Sequence, residues 1–366
     1  MFFVFFLGVL SLLHLYLFRH LSAAWPNLAG GFAIILPVLL SLPFMMAYFR
    51  RRGRSSLARF CALVGFSWIG ILFLTDCVFG LLDLYDLAAS MVGLHRLSPQ
   101  TTVFAAATMT LISVIHGAFE ARAPQLKRVR VSLSKLRTRP TPIRIVQITD
   151  LHLGYVADAG RLRLLVDRIN ALNPDLIVST GDLFDSDFEK MEPMVDILVD
   201  LRAAQGKFAI SGNHEVYENL DTGLDLTRRA GFQILQGESF EVTQDLFLAG
   251  VDDAEALEDG VSGEHEKEAL KGIPGEACTI LLKHRPTVLK SSIGHFDLQL
   301  SGHTHGGQIF PFNLLTRLVY RYGPGLTKVG NESWIYLSRG TGTWGPQFRI
   351  LAPPEITLIE LHGSSS

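Results

Sequence analysis

The sequence predicts an α/β domain built on a largely parallel sheet, preceded by an α-helical region that crosses a membrane several times. Four apolar stretches, each near the ~20 residues a membrane helix needs, fall before residue 122. From Ile143 onward, short β-branched runs alternate with amphipathic ones. The charge divides at the same place: residues 1–142 hold 14 of the 33 Lys and Arg but only 4 of the 35 Asp and Glu. A mean hydropathy of +0.28 and 24 phenylalanines fit a chain whose first part is greasy and basic and whose second part is acidic.

The apolar stretches are Phe2–Phe18, Leu28–Phe49, Phe60–Leu82 and Thr101–Phe119. The second contains Pro37 and Pro43, which membrane helices tolerate better than soluble ones. The first lacks a basic leader and a short cleavage segment, so it reads as an anchor rather than a signal peptide. Arg50, Arg51, Arg52, Arg54 and Arg59 follow the second stretch, and Arg122, Lys127, Arg128, Arg130, Lys135, Arg137 and Arg139 follow the fourth. With four spans both clusters lie on one side, which the positive-inside rule makes cytoplasmic, together with everything after residue 122. Asp76 reads as an interfacial residue close to the end of its span. The organisation is therefore a membrane region over 1–122, a basic linker over 123–142 and a folded domain over 143–366.

In that domain Ile143–Thr149, Leu176–Ser179, Lys207–Ile210, Thr279–Leu282 and Asp297–Leu300 read as strands, with helices near Arg161–Leu172 and Met191–Ala204. Strands alternating with helices imply βαβ units and ligands at the carboxyl ends of the strands. Those ends carry Asp150-Leu151-His152, Gly181-Asp182, Gly212-Asn213-His214-Glu215, Lys283-His284 and Gly302-His303-Thr304-His305. Alternation lets Asp150 and His152 leave an extended segment toward one side. Carboxylate, amide and imidazole without thiolate suit Mn, Fe, Zn or Mg. So many ligands exceed what one ion needs and match two ions sharing a bridge, about 3.5–4 Å apart, with a hydroxide held between them. Cys61, Cys77 and Cys278 form neither a disulfide framework nor a thiolate site. A P-loop and a Gly-x-Ser-x-Gly elbow are both missing, and an acidic domain is a poor binder of nucleic acid. Nothing in the sequence implies a protein partner.

This order of motifs resembles the calcineurin-like metallophosphoesterase superfamily from about residue 143 to 361. The resemblance implies a four-layer αββα sandwich of two mixed sheets flanked by helices. It implies that Asp150, His152, Asp182 and His305 hold one metal ion, that Asp182 bridges to a second completed by Asn213, His284 and His303, and that His214 is the general acid. The chain departs from the protein Ser/Thr phosphatases of that superfamily. Gly181-Asp182-Leu183-Phe184-Asp185 and Ser211-Gly212-Asn213-His214-Glu215 lack the phosphate-gripping arginines, which argues against a phosphoprotein substrate.

The later motifs, Gly302 to Gln308, Ser338-Arg339-Gly340-Thr341-Gly342 and Pro353-Pro354-Glu355-Ile356, resemble a bacterial subgroup of membrane-associated phosphodiesterases. Some members of that subgroup cleave the diphosphate of UDP-2,3-diacylglucosamine, so the resemblance implies a lipidic phosphate ester as one substrate. A broad phosphomonoesterase, a cyclic-nucleotide phosphodiesterase and a non-catalytic membrane scaffold are the competing readings. The segment from Phe310 to Tyr322 is apolar and aromatic with two charges. It reads either as a membrane-facing lid that places Arg317 and Arg321 near phosphate groups or as an amphipathic helix packed on the sandwich.

Overall fold

The computed structural model describes residues 2–136, 141–257 and 262–363. Arg137 and Arg139 of the basic cluster lie outside them. The chain forms two compact units: one takes the residues up to Ala121 with Ile309–Pro311 and Gly345–Leu351, the other Arg122–Gln308, Phe312–Trp344 and the remainder.

The helical unit contains α1 (Phe2–Ala24), α2 (Ala29–Arg51), α3 (Ser55–Met91) and α4 (Pro99–Arg122). All four are long and apolar enough, by length and composition, to cross a membrane. They carry exposed apolar side chains such as Leu12, Ile34, Phe104 and Ile112, which suit a lipid surround. Gly65 of α3 lets the two helices meet closely, since a Cβ there would lie 2.8 Å from Pro43 of α2. At 37 residues α3 is roughly 55 Å long and outruns the hydrocarbon layer. Because it continues to Met91, Asp76 does not stand near the end of its helix. It is buried mid-helix, and neither carboxylate oxygen has a hydrogen-bond partner.

The second unit contains β1 (Gln125–Leu133), β2 (Ile143–Ile148), α5 (Ala159–Asn170), β3 (Leu176–Ser179), α6 (Glu192–Val199) and β4 (Lys207–Ala209). It continues with α7 (Asn213–Glu218), α8 (Leu220–Arg229), β5 (Gln233–Ile234), β6 (Glu238–Thr243), β7 (Leu246–Gly250) and α9 (Ser262–Leu270). Then come β8 (Cys278–Leu282), β9 (Leu298–Ser301), α10 (Phe312–Val319), β10 (Gly325–Lys328), β11 (Trp334–Leu337) and β12 (Glu355–Gly363). These form two six-stranded sheets, ordered β1-β12-β2-β3-β4-β5 and β10-β11-β9-β8-β7-β6. Strands β2 to β5 run parallel, as do β7, β8, β9 and β11. The antiparallel pairs β12 with β2, β10 with β11 and β6 with β7 make both sheets mixed.

The layers follow from side chains alternating along each strand. Ile145, Val178, Ile280 and Leu300 point into a core shared by the two sheets. Val146 and Ile177 face the other way and pack under Leu165 and Ile169 of α5, Val195 of α6 and Leu224 of α8. On the far side Leu281 and Ala249 pack under Ala269 and Leu270 of α9. The result is the four-layer αββα sandwich. Asp158 caps α5 by accepting the Arg161 N–H at 2.9 Å, and Asn219 caps α8 in the same way at Thr222.

The stretch assigned to a basic linker is partly strand β1, paired in parallel with β12 over Gln125–Leu133. Its cationic side chains point outward while Val129, Val131 and Leu133 are buried, and Arg128 and Arg130 lie 3.8 and 3.5 Å from Glu360.

Candidate metal centre

The site is assembled from strand ends of both sheets. The first sheet supplies the loops after β2, β3 and β4, and the second those after β8 and β9. Backbone bonds lock the loops in pairs: Asp150 N–H donates to the Gly181 carbonyl at 3.0 Å, His152 N–H to Asp182 at 3.0 Å and Gly302 N–H to His284 at 2.9 Å. Buried Gln147 ties the two sheets by donating to the Ser301 carbonyl at 3.1 Å and to Thr180 Oγ1 at 2.9 Å.

The extended geometry expected for Asp150 and His152 is not what orients them. Strand β2 ends at Ile148, and both residues sit at positive φ, 53° and 50°. Asp182, His303 and His305 do likewise, at 53°, 74° and 50°. Left-handed backbone at a non-glycine residue costs of order 1–3 kcal/mol and persists only where the surroundings impose it. Five instances among seven predicted ligands mark this as a place where folding stability is spent on aiming side chains.

The side chains fall into groups whose ligand atoms lie within 4.8 Å of one another. One is Asp150, His152 and His305; a second is Asp182, His284 and His303. Asn213 joins the second through Oδ1, 3.1 Å from His284 Nε2. Asp182 Oδ2 lies 3.2 Å from His284 Nε2 and 3.7 Å from His152 Nε2, so this carboxylate stands between the groups. Gly212 leaves room for it, because a Cβ there would come within 2.2 Å of Asp182 Oδ1.

The donor set fits divalent cations. His284 Nδ1–H donates to the Thr180 carbonyl at 2.8 Å, which turns Nε2 toward the cluster. That one nitrogen then faces Asn213 Oδ1, His303 Nδ1 at 3.2 Å and the Asp182 carboxylate. A single proton can serve only one of these acceptors; a cation among them serves all. Burial alone would lower the His284 imidazole, but the Asp182 charge pushes it up to about 10, while the same pairing holds Asp182 well below the usual carboxylate range. His303 is pushed down to about 3 by burial and by the charge on His284, leaving it a neutral donor. Metal binding to such a set displaces protons, so its affinity depends on pH.

Two residues outside the predicted ligand set organise the site. Buried Glu215 accepts four backbone N–H groups: Gly212 at 2.9, Asp182 at 3.1, Leu183 at 2.7 and Phe184 at 3.0 Å. It thereby clamps the turn bearing Asp182 to the turn bearing Asn213 and His214. Asp185 receives His214 Nδ1–H at 2.5 Å. Burial would lower the His214 imidazole, yet this bond and the Asp182 and Glu215 charges push it up to about 9, which keeps a proton on the ring at neutral pH. Both acids stand inside the motifs, Asp185 three residues after Asp182 and Glu215 just after His214, so spacing could have flagged them.

The later motifs find their place too. Thr341 and Gly342 N–H groups donate to the carbonyls of Thr149 and Asp150 at 2.8 and 3.0 Å. Buried Glu355 accepts Tyr336 Oη–H at 2.7 Å and Arg339 Nε–H at 2.8 Å. Around the opening, Tyr217 and Trp344 approach the His214 ring at 5.7 and 5.6 Å, and Tyr320 approaches His303 at 5.6 Å. Arg317 lies in α10 and Arg321 just after it. Both are exposed, and among the described residues neither is paired with a carboxylate. Helix α10, which carries Arg317, has no fully buried side chain, while Asn313 and Thr316 are half-buried.

The calcineurin-like phosphoesterase family profile matches residues 143–307. An uncharacterized metallophosphoesterase of Aquifex aeolicus is 34% identical over 260 residues, covering 70% of this chain and 99% of that protein. The chain belongs to the metallophosphoesterase family. Other family members cover a smaller share of their own length. One from Campylobacter jejuni is 34% identical over 66% of this chain and 64% of itself. A transmembrane protein with a metallophosphoesterase domain from Danio rerio is 32% identical over 69% of this chain and 61% of itself. In this metallophosphoesterase the predicted ligands Asp150, His152, Asp182, Asn213, His284, His303 and His305 all converge, and His214 stands at the edge of the cluster.

Proposed function

We propose that this chain is a membrane-anchored hydrolase of a phosphodiester or diphosphate that works with two divalent metal ions. The observation that carries this is the Asp182 carboxylate, which belongs to one three-residue ligand group, 3.2 Å from its His284, and lies 3.7 Å from His152 of the other. In this reading Asp150, His152, Asp182 and His305 hold one ion, and Asp182, Asn213, His284 and His303 hold the other. Two such ions, when bound, supply an activated water and neutralise the phosphoryl oxygens. His214, kept protonated by Asp185, donates its proton to the leaving oxygen. Glu215 holds the Asp182 and Asn213 turns in register throughout.

The four apolar helices support a membrane location, and the basic residues after α2 and α4 support a cytoplasmic domain. The exposed leucines of α10 support a lipidic substrate, with Arg317 and Arg321 beside its phosphate groups. UDP-2,3-diacylglucosamine is one such compound.

The test is hydrolysis of bis-p-nitrophenyl phosphate, p-nitrophenyl phosphate and UDP-2,3-diacylglucosamine by the full chain in mild detergent with Mn²⁺, with Asp182→Ala as control. Metal-dependent turnover of the lipid nucleotide, lost in the control, is the expected result. Turnover confined to the small esters assigns a broad phosphoesterase, and no turnover of any assigns a scaffold or a substrate of another class.

A further inference from the structure

The loop that carries His284 does not end at the metal centre. It continues through Pro286 and Thr287 into the wall of a cavity of about 730 Å³. Tyr320 forms part of that wall and also meets the His303 ring edge-on at 5.6 Å, so one side chain borders both spaces.

The charge of this cavity runs against its surroundings. From residue 143 onward acidic residues outnumber basic ones 31 to 19. The cavity nevertheless has Lys290, Arg321 and Lys328 in its lining and, among the described residues, no acid. Neighbouring Arg285 shows the usual fate of a cation here: Asp253 and Glu255 hold it at 2.9 Å each. The three lining cations have no such carboxylate among the described residues. Arg321 and Lys328 lie over the Tyr322 and Trp334 rings at 5.8 and 5.7 Å, which positions them without neutralising them. The three come from separate segments, so the fold and not one charge run gathers them. Unneutralised cations in a concave wall beside a phosphoryl-transfer site suit a second anion.

We infer that this cleft binds a second phosphate group of the substrate, apart from the phosphoryl that reacts at the metal centre. The inference rests on the phosphoesterase reading and narrows it to substrates that carry a further phosphate beside the one attacked, with Lys290 and Lys328 setting that specificity. A bilayer headgroup would offer the same chemistry, and the experiment separates the two sources.

The full chain in neutral detergent with Mn²⁺ is given thymidine 5′-p-nitrophenyl phosphate and its 3′-phosphorylated counterpart, which share one scissile ester and differ by one remote phosphate. The expected result is a kcat/KM ratio favouring the 3′-phosphate by about tenfold, the value of one charge-assisted contact. In Lys290→Ala/Lys328→Ala that ratio should fall toward one. In Arg161→Ala/Arg163→Ala/Arg168→Ala, which removes three exposed charges from α5, it should persist. A ratio unchanged in the cleft variant overturns the inference. So does a cleft variant that loses only a stimulation by phosphatidylglycerol nanodiscs, because the cleft then reads lipid headgroups. Calorimetric titration of inorganic pyrophosphate into metal-free protein gives an independent reading. Weaker binding by the cleft variant alone supports the subsite, and equal binding overturns it. If neither ester is hydrolysed by the wild type, the phosphoesterase reading fails while the titration still decides the cleft.

Discussion

At the scale of single residues, the centre depends on carboxylates outside the predicted ligand set. Glu215 stands under two ligand turns and accepts four N–H groups in a buried position. Glu215→Gln keeps the shape but replaces one acceptor oxygen by a donor that faces backbone N–H groups. Such a mismatch costs on the order of 1–3 kcal/mol and loosens the turns. The expected outcome is weaker Mn²⁺ binding, by about tenfold or more, seen in a metal titration of activity. An unchanged metal dependence would show that Glu215 is only a packing residue. The pairing of Asp185 with His214 makes a different prediction. His214→Ala should slow a phosphodiester with an alkyl leaving group by about 10²–10³-fold and a p-nitrophenyl ester much less, since a good leaving group needs little protonation. Equal losses on both would remove His214 from the proton-donor role.

At the scale of elements, β1 and α10 show how pattern and charge compete in a sequence. In β1 the hydrophobic positions Val129, Val131 and Leu133 alternate as a half-buried strand requires, but Lys127 and Arg128 before them and Arg130 between them drew the reading toward a linker. Glu360, far along the chain, takes up part of that charge. In α10 the leucines are 52%, 49% and 83% exposed at 314, 315 and 318. Left unburied in this way, they can act on a lipidic substrate without supporting the sandwich. Leu314→Ser/Leu315→Ser/Leu318→Ser should lower turnover of a lipid-linked diphosphate and spare bis-p-nitrophenyl phosphate. Parallel loss on both substrates would end the lid assignment.

At the scale of the whole molecule, the ligand groups join two sheets, so metal binding and folding of the αββα unit are linked. An ion that binds only the folded state adds about 2.7 kcal/mol at a hundredfold excess over its dissociation constant. For a domain of this size that is a rise of roughly 5–10 °C in its unfolding transition. Calorimetry of metal-free and Mn²⁺-loaded chain checks this; coincident transitions would show that the convergence of ligands binds no ion.

What the sequence by itself determined is what is local. Runs of apolar residues disclose the four long helices, short β-branched runs disclose five of the strands, and the residues after those strands disclose the side chains that converge at the candidate centre. Each of these is written within a few residues. Tertiary structure alone decided what depends on distance between remote positions: Asp182 between two ligand groups, Glu215 under two turns, Asp76 inside its helix bundle, and Lys290 and Lys328 in one cleft. Side chains from different strands become neighbours only when the sheets pack, and a linear pattern does not encode the separation that packing imposes.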